Sequence, residues 1–229
     1  MTVPLETSIE CVLFDLDGTL IDTAPDFIIV VNALLAENER EAISPAVIRQ
    51  TVSDGARALV KLAFNIEEDD PDFTRLNERL LALYYEQLQT TQSVIYPGLA
   101  ELLQKFAAQG IRWGIVTNKP ELYAERLLTQ LDLRDACQSL VCPDHVEHRK
   151  PHPEPILLAC QQLGCGTERT VYIGDHVRDI QAAKNADVIA VAAAYGYLSA
   201  ETRVEDWYAD FILGTSAQTE SLLNLLKFA

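Results

Sequence analysis

Phe14-Asp15-Leu16-Asp17-Gly18-Thr19-Leu20 closes the apolar run Cys11-Val12-Leu13-Phe14 with two carboxylates and then a glycine. The run reads as a short buried strand, on which side chains two residues apart project to the same face. Asp15 and Asp17 can therefore converge at the carboxyl end of that strand. Two like charges buried together are costly unless a cation or a proton lies between them, and in such a pair one carboxylate can ionise while the other stays protonated. The stretch thus points to a divalent metal and to acid–base chemistry. Gly18 can take backbone angles closed to other residues and bring main-chain N–H groups to an anion, and Thr19 can cap the segment that follows.

Outward from this strand, no comparable apolar strand recurs until Ile111-Arg112-Trp113-Gly114-Ile115-Val116. Between the two, Phe27, Val30, Val31 and Leu34 recur at helical spacing, as do Leu76, Leu80, Leu83, Tyr84 and Leu88. Residues 23–96 therefore read as an inserted helical module, entered at 22–25 and left at 90–98, with 67–72 a short acidic, solvated loop. From Pro97 on, helices and strands alternate. A helix over 97–109 stops at Gly110, and strands follow at 111–117, 139–142, 170–174 and 188–193 with helices between them. A short strand at 211–213 and an apolar helix over 220–228 close the core. This pattern predicts an α/β fold, a doubly wound, Rossmann-like parallel sheet covered on both faces. Its core comprises residues 1–22 and 97–229, and residues 23–96 form the insertion.

Composition narrows the function classes. Of 229 residues, 18 are Lys or Arg and 34 are Asp or Glu, a formal charge of −16 that would repel a phosphate backbone, so nucleic acid is not expected as a partner. A small anionic substrate would need a local positive centre to overcome that field. Apolar runs are short and interrupted, so no membrane partner is expected, and Glu6 and Glu10 near the start do not fit a secretory signal. Cys11, Cys137, Cys142, Cys160 and Cys165 are odd in number and lack CxxC spacing, which suits reduced thiols in a cytoplasmic protein.

In an open parallel sheet, ligands bind beyond the carboxyl ends of the strands. Those ends carry Asp15 and Asp17, then Thr117-Asn118, then Gly174-Asp175 with Asp179 four residues on, and Lys150 lies in the loop after the remaining strand. The set offers an oxygen nucleophile, a second carboxylate for proton transfer, a hydroxyl and an amide for phosphoryl oxygens, a cation, and two further acids for a hard metal. Each piece alone has a plainer reading. Thr117-Asn118 could be a polar loop, Asp175 and Asp179 a helix cap and a first-turn acid, and Lys150 a surface lysine. Their joint order is what favours chemistry. His145, His148 and His152 have a spacing that suggests zinc, but Pro151, Pro153 and Pro155 break any regular helix there, and a loop is expected. Trp113 and Trp207 are expected to pack.

Taken in order, Asp15-Leu16-Asp17-Gly18-Thr19, Thr117-Asn118, Lys150-Pro151 and Gly174-Asp175 with Asp179 resemble the four motifs of the haloacid dehalogenase superfamily phosphatases. The insertion resembles the helical cap of that superfamily's first subclass, and the chain as a whole is most similar to its phosphoglycolate phosphatase-like group. Asp22-Thr23-Ala24-Pro25-Asp26-Phe27, Ser53-Asp54-Gly55-Ala56-Arg57 and Cys142-Pro143-Asp144-His145-Val146 are similar to stretches of the bacterial N-acetylmuramic acid 6-phosphate phosphatases. The resemblance implies that Asp15 attacks phosphorus and that Asp17 protonates the leaving alcohol, then activates water. Thr117, Asn118, Gly18 and Lys150 would hold the phosphoryl group. Mg²⁺ would be held by Asp15, Asp175 and the main-chain carbonyl of Asp17, with Asp179 supporting the metal shell or orienting Lys150. Gly55 and Arg57 are candidates to read the rest of the substrate, although an ordinary helix cap with a solvated arginine explains them equally.

The expected substrate is a small phosphorylated metabolite, N-acetylmuramic acid 6-phosphate first and 2-phosphoglycolate second, handled by a monomer or homodimer. A sugar phosphomutase and a non-enzymatic phospho-acceptor module remain as alternatives. A dehalogenase is disfavoured because Asp17 is an acid. Two positions depart from the family pattern: His176 follows Asp175, and Asp187 stands where relatives usually carry glycine.

Overall fold

In the computed structural model, which describes residues 8–226, the four residues of β1 (Cys11–Phe14) are fully buried. Val12 and Phe14 enter one apolar layer, Cys11 and Leu13 another, as a strand inside a sheet covered on both faces requires. The chain then makes β2 (Ile21–Asp22) and four helices, α1 (Ala24–Glu37), α2 (Pro45–Thr51), α3 (Ala56–Phe64) and α4 (Phe73–Gln87), and returns through β3 (Val94–Ile95). Alternation follows: α5 (Leu99–Gln109), β4 (Arg112–Val116), α6 (Glu121–Gln130), β5 (Leu140–Val141), α7 (Glu154–Leu163), β6 (Thr170–Gly174), α8 (Val177–Asn185), β7 (Ile189–Ala193), β8 (Phe211–Leu213) and α9 (Gln218–Leu225). Residues 1–7 and 227–229 of the expected core, with Lys227 and Phe228 of the expected last helix among them, lie outside the described residues.

Six strands form one parallel sheet in the order β5-β4-β1-β6-β7-β8. The α/β, doubly wound architecture is thus the expected one, with β1 central and beside β6. Val12 lies opposite Trp113 on β4 and opposite Val171 on β6. Helices α7 and α8 cover the face bearing Cys11 and Leu13, and α5, α6 and α9 cover the other. The chain winds outward from β1 in both directions, so the crevice at the carboxyl end of β1 is the switch point where such sheets bind ligands.

The stretch between β1 and α5 is not wholly helical. β2 and β3 pair antiparallel, Ile21 opposite Ile95, and two-residue strands carry no periodicity that a sequence reading could detect. The helix expected from residue 97 starts at Leu99, because Gly98 takes a left-handed φ of +82°. Thr19 caps nothing. It is fully buried and its hydroxyl donates to Asp175 Oδ1 at 3.3 Å, while α1 begins after Thr23.

Apolar residues of α1 and α4 join the layer over Val12 and Phe14, and the rings of Phe27 and Tyr84 stack at 4.2 Å with 9° between their planes. Asp26, in the first turn of α1, is fully buried. It accepts hydrogen bonds from Gln87 Nε2 (3.0 Å), Gln92 N (2.8 Å), Ser93 Oγ (2.6 Å) and the Thr91 hydroxyl, which ties the start of α1 to the chain returning into β3.

Candidate active site

The main-chain N–H of Asp15 donates to Ile173 O at 2.8 Å, continuing the ladder one residue past β1. That bond fixes the direction of the side chain, which lines a cavity of about 860 Å³ at the carboxyl edge of the sheet. Asp15 Oδ1 accepts from the N–H of Leu16 at 2.7 Å and pairs with Lys150 Nζ at 2.9 Å. Lys150 comes from the loop after β5 and is 2% exposed. Its ammonium also meets Val116 O at 2.9 Å, the Tyr172 hydroxyl at 2.8 Å and Asp179 Oδ1 at 2.7 Å. Four oxygens leave this lysine little freedom. Burial opposes its charge, but Asp15 and Asp179 outweigh burial and hold its pKa above the ordinary lysine value.

Asp175 follows β6. Its Oδ1 accepts from Thr19, and its Oδ2 accepts from Ser53 Oγ and from Tyr197 N, both at 2.9 Å. Asp179, in the first turn of α8, also accepts from His176 N at 3.0 Å through Oδ2. Carboxylate oxygens of Asp15, Asp175 and Asp179 lie within 4.8 Å of one another, all three buried. Burial, opposed by Lys150, pushes Asp15 up to about 6. Burial, reinforced by Asp15 and Asp179, pushes Asp175 up to about 8. Three acids with one ammonium have negative charge to spare, which the protein alone must quench with protons. An all-oxygen donor set of this kind fits a hard divalent cation such as Mg²⁺.

The carboxylate of Asp17 does not join this cluster. Its Oδ1 accepts from Lys119 Nζ at 2.8 Å and from Thr23 Oγ1 at 2.5 Å. Gly18 also departs from expectation. Its N–H is already bonded to Ile21 O at 2.9 Å rather than open to an anion. What the glycine supplies is space: at φ +80°, a Cβ there would lie 2.2 Å from Asp175 Oδ2.

Thr117 and Asn118 line the cavity just past β4. The Thr117 hydroxyl accepts from Lys119 N at 3.0 Å. Asn118 Nδ2 donates to Lys150 O at 3.1 Å, and its buried Oδ1 has no hydrogen-bond partner. Gly55, at φ +89°, precedes α3 and lines the cavity with Arg57. The Arg57 guanidinium is paired with Glu68 and lies 4.9 Å from the Phe73 ring centroid, and Lys61 pairs with Glu67 at 2.5 Å. The 67–72 loop is therefore bound to α3 at two points rather than merely solvated. His176 caps α8, its Nδ1 accepting from Arg178 N at 3.2 Å, and its Nε2 stands 3.4 Å from Asp54. Asp187 takes a left-handed φ of +55° in the turn before β7, the conformation a glycine would favour. His145 is held by Cys142 N and Glu121, while His148 and His152 stack edge to face at 4.7 Å.

Two parts of the site escaped the sequence reading. Lys119 directly follows the Thr117-Asn118 pair and could have been read from that adjacency. Tyr195-Gly196-Tyr197 follows β7, a strand end at which no candidate is expected from the sequence. The Tyr197 hydroxyl accepts from the N–H groups of Thr23 (2.5 Å) and Ala24 (2.8 Å) and donates to Asp22 Oδ1 at 2.8 Å, while its main-chain N–H donates to Asp175 Oδ2, so this residue joins Asp175 to the entrance of α1.

Comparison with known proteins agrees with this geometry. A family model described as haloacid dehalogenase-like hydrolase matches residues 12–193. The N-acetylmuramic acid 6-phosphate phosphatase of Pseudomonas aeruginosa is 42% identical over 205 residues, 90% of each chain. A phosphoglycolate phosphatase of Xanthomonas campestris is 41% identical over 202 residues, 88% of this chain and 90% of that one. Among solved structures, a predicted phosphoglycolate phosphatase from Haemophilus somnus superposes with a TM-score of 0.82 at 26% identity, covering 95% of this chain and 99% of the other.

Proposed function

The chain belongs to the haloacid dehalogenase-like hydrolase family, and from that premise we propose that it hydrolyses N-acetylmuramic acid 6-phosphate through an aspartyl phosphate on Asp15. It is a phosphoric monoester hydrolase. Leu16 N–H and Lys150 both engage Asp15 Oδ1, which favours Oδ2 as the attacking oxygen. As the Oδ2–phosphorus bond forms, the bond from phosphorus to the sugar oxygen breaks and Asp17 gives that oxygen a proton. Asp17 then takes a proton from water, whose oxygen attacks phosphorus, frees Asp15 and leaves inorganic phosphate. Thr117 and Asn118 hold the phosphoryl oxygens and Lys150, paired with Asp15, offsets charge on the nucleophile and the phosphate, since in phosphoryl transfer the protein's work is mainly positioning and charge stabilisation.

Mg²⁺ would be held by Asp15 and Asp175, with the main-chain carbonyl of Asp17 available as a third ligand and Asp179 completing the acidic cluster. When bound, it would neutralise phosphoryl charge and hold the group in line. Residues 23–96 act as a cap over the core formed by the rest of the chain, and substrate choice resides where the two face each other.

The observation that carries the choice of substrate is the cavity of about 860 Å³, which extends from Asp15 to Arg57, Lys61 and Asn77. It has room for an amino sugar. Arg57 and Lys61 offer cations for a substrate carboxylate, provided that it displaces Glu68 and Glu67. 2-Phosphoglycolate is the second reading, favoured by the similarity to the Xanthomonas protein.

The test is phosphate release with Mg²⁺ and with chelator from N-acetylmuramic acid 6-phosphate, 2-phosphoglycolate and hexose phosphates, with Asp15→Asn as control. Metal-dependent release with highest kcat/KM on the amino sugar phosphate is expected. Preference for 2-phosphoglycolate would overturn the substrate. Release from none, above the Asp15→Asn background, would overturn hydrolysis of this class and favour a phosphomutase or a phospho-acceptor.

A further inference from the structure

Lys119 has no part in the nucleophile, the phosphoryl cradle or the acidic cluster, yet it is 8% exposed and faces the cavity. A lysine buried to that extent needs partners for its charge, and this one has two kinds. On the core side, its ammonium is 2.8 Å from Asp17 Oδ1. On the other side, it lies 4.6 Å from the ring centroid of Tyr84 and 5.1 Å from that of Phe27. Those rings belong to α4 and α1 and stack on each other at 4.2 Å, so they present a joint aromatic wall. A cation within about 6 Å of an aromatic face is attracted by the ring quadrupole. The lysine is therefore a fixed cation between the two parts of the molecule. Tyr84 thus contributes the face of its ring to the wall against which the ammonium stands.

We infer that Lys119 is a positioning residue that couples docking of α1 and α4 over the sheet to the placement of Asp17. With the aromatic pair in place, the ammonium is pinned between ring faces and carboxylate, and Asp17 Oδ1 is fixed between Lys119 and Thr23. With the pair withdrawn, Lys119 loses its second anchor and Asp17 one of its two. Proton transfer by Asp17 would then be efficient only when the helices cover the site. The inference rests on Asp17 being the acid–base residue, and the experiment separates the two claims.

Steady-state kinetics on the substrate selected above are compared for Lys119→Met, Tyr84→Phe, Tyr84→Leu, the Lys119→Met/Tyr84→Leu double variant, Lys119→Arg and Asp17→Asn. Lys119→Met keeps the buried stem and removes the charge. It is expected to lower kcat by roughly 10- to 100-fold, part of the approximately 10²–10⁴-fold that acid–base transfer contributes, with KM changed less than about threefold. Lys119→Arg should recover part of that loss and Tyr84→Phe, which keeps the ring, should lose less than Tyr84→Leu, which should lower kcat. The double variant should lose much less than the product of the single losses, because both remove one linkage. Multiplying losses, or a Lys119→Met enzyme with unchanged kcat beside an inactive Asp17→Asn enzyme, would overturn the coupling while leaving Asp17 its role. An Asp17→Asn enzyme as fast as the parent would instead overturn the acid–base assignment. If Tyr84→Leu does not fold, Phe27→Leu replaces it in the cycle with the same expected and contrary outcomes.

Discussion

Asp15 and Asp175 keep protons that an exposed aspartate, with an ordinary value of 3.8, would have lost, because burial lifts Asp15 to about 6 and Asp175 to about 8. The sign of the consequence is fixed by linkage. Between about pH 4 and about pH 8 the folded metal-free protein binds more protons at these two sites than the unfolded chain. Their contribution to stability is therefore fully present below about pH 4 and is lost as pH rises through about 6 for Asp15 and about 8 for Asp175. A divalent cation removes the reason for the protons and should restore the loss. Thermal midpoints with chelator should accordingly fall across that window, and the increment from saturating Mg²⁺ should grow with pH. An increment that shrinks toward higher pH would mean that the three acids do not share a cation. At this scale the sequence was largely legible. Asp15, Thr117, Asn118, Lys150, Asp175 and Asp179 are brought together because each directly follows a strand of one parallel sheet, lies in an adjoining loop or, like Asp179, stands in the first turn of the helix after it. Gly18 and Asp17 were legible only in part, since spacing along a strand does not show which hydrogen bonds a main-chain N–H or a carboxylate has already made.

The elements that carry the chemistry were read almost to the residue where hydrophobic pattern is strong, as in β1 and β6. They were missed where it is weak. β2 and β3 are two residues each, and they stand where the chain leaves and re-enters the sheet region. Their neighbourhood is held by polar groups, which carry no periodic signal. Arg49 pairs with Asp22 at 2.5 Å, Tyr197 reaches across to Asp22, Thr23 and Ala24, and Asp26 gathers four donors. Asp26→Ala would leave buried donors without an acceptor. It should cost about 2–4 kcal/mol in denaturant-induced unfolding. A change under about 0.5 kcal/mol would show that the junction of α1 with β3 does not depend on this carboxylate.

Across the whole molecule, a chain of formal charge −16 concentrates Lys119, Lys150, Arg57, Lys61, Arg149 and Arg178 around one cavity. The global field disfavours polyanions, while the local one suits a small phosphorylated ligand. None of the described helices is long and apolar enough to cross a membrane. The doubly wound plan followed from strand–helix alternation, whereas the contacts between residues 23–96 and the sheet did not. Lys119 with the Phe27/Tyr84 pair, Ser53 with Asp175 and Arg178 with the Ser53 carbonyl join positions far apart in the chain, and no local pattern encodes such pairings.

All of this chemistry turns on a covalent phosphate at Asp15, and acid-quenched single turnover of the Asp17→Asn enzyme with Mg²⁺ and N-acetylmuramic acid 6-phosphate, followed by peptide mass mapping, looks for it directly. Phosphate on the peptide containing Asp15, formed before free phosphate and absent from an Asp15→Asn/Asp17→Asn double variant, is the predicted result. Free phosphate released at the same rate by Asp15→Asn and parent enzymes, with no modified peptide at any time point, would contradict it.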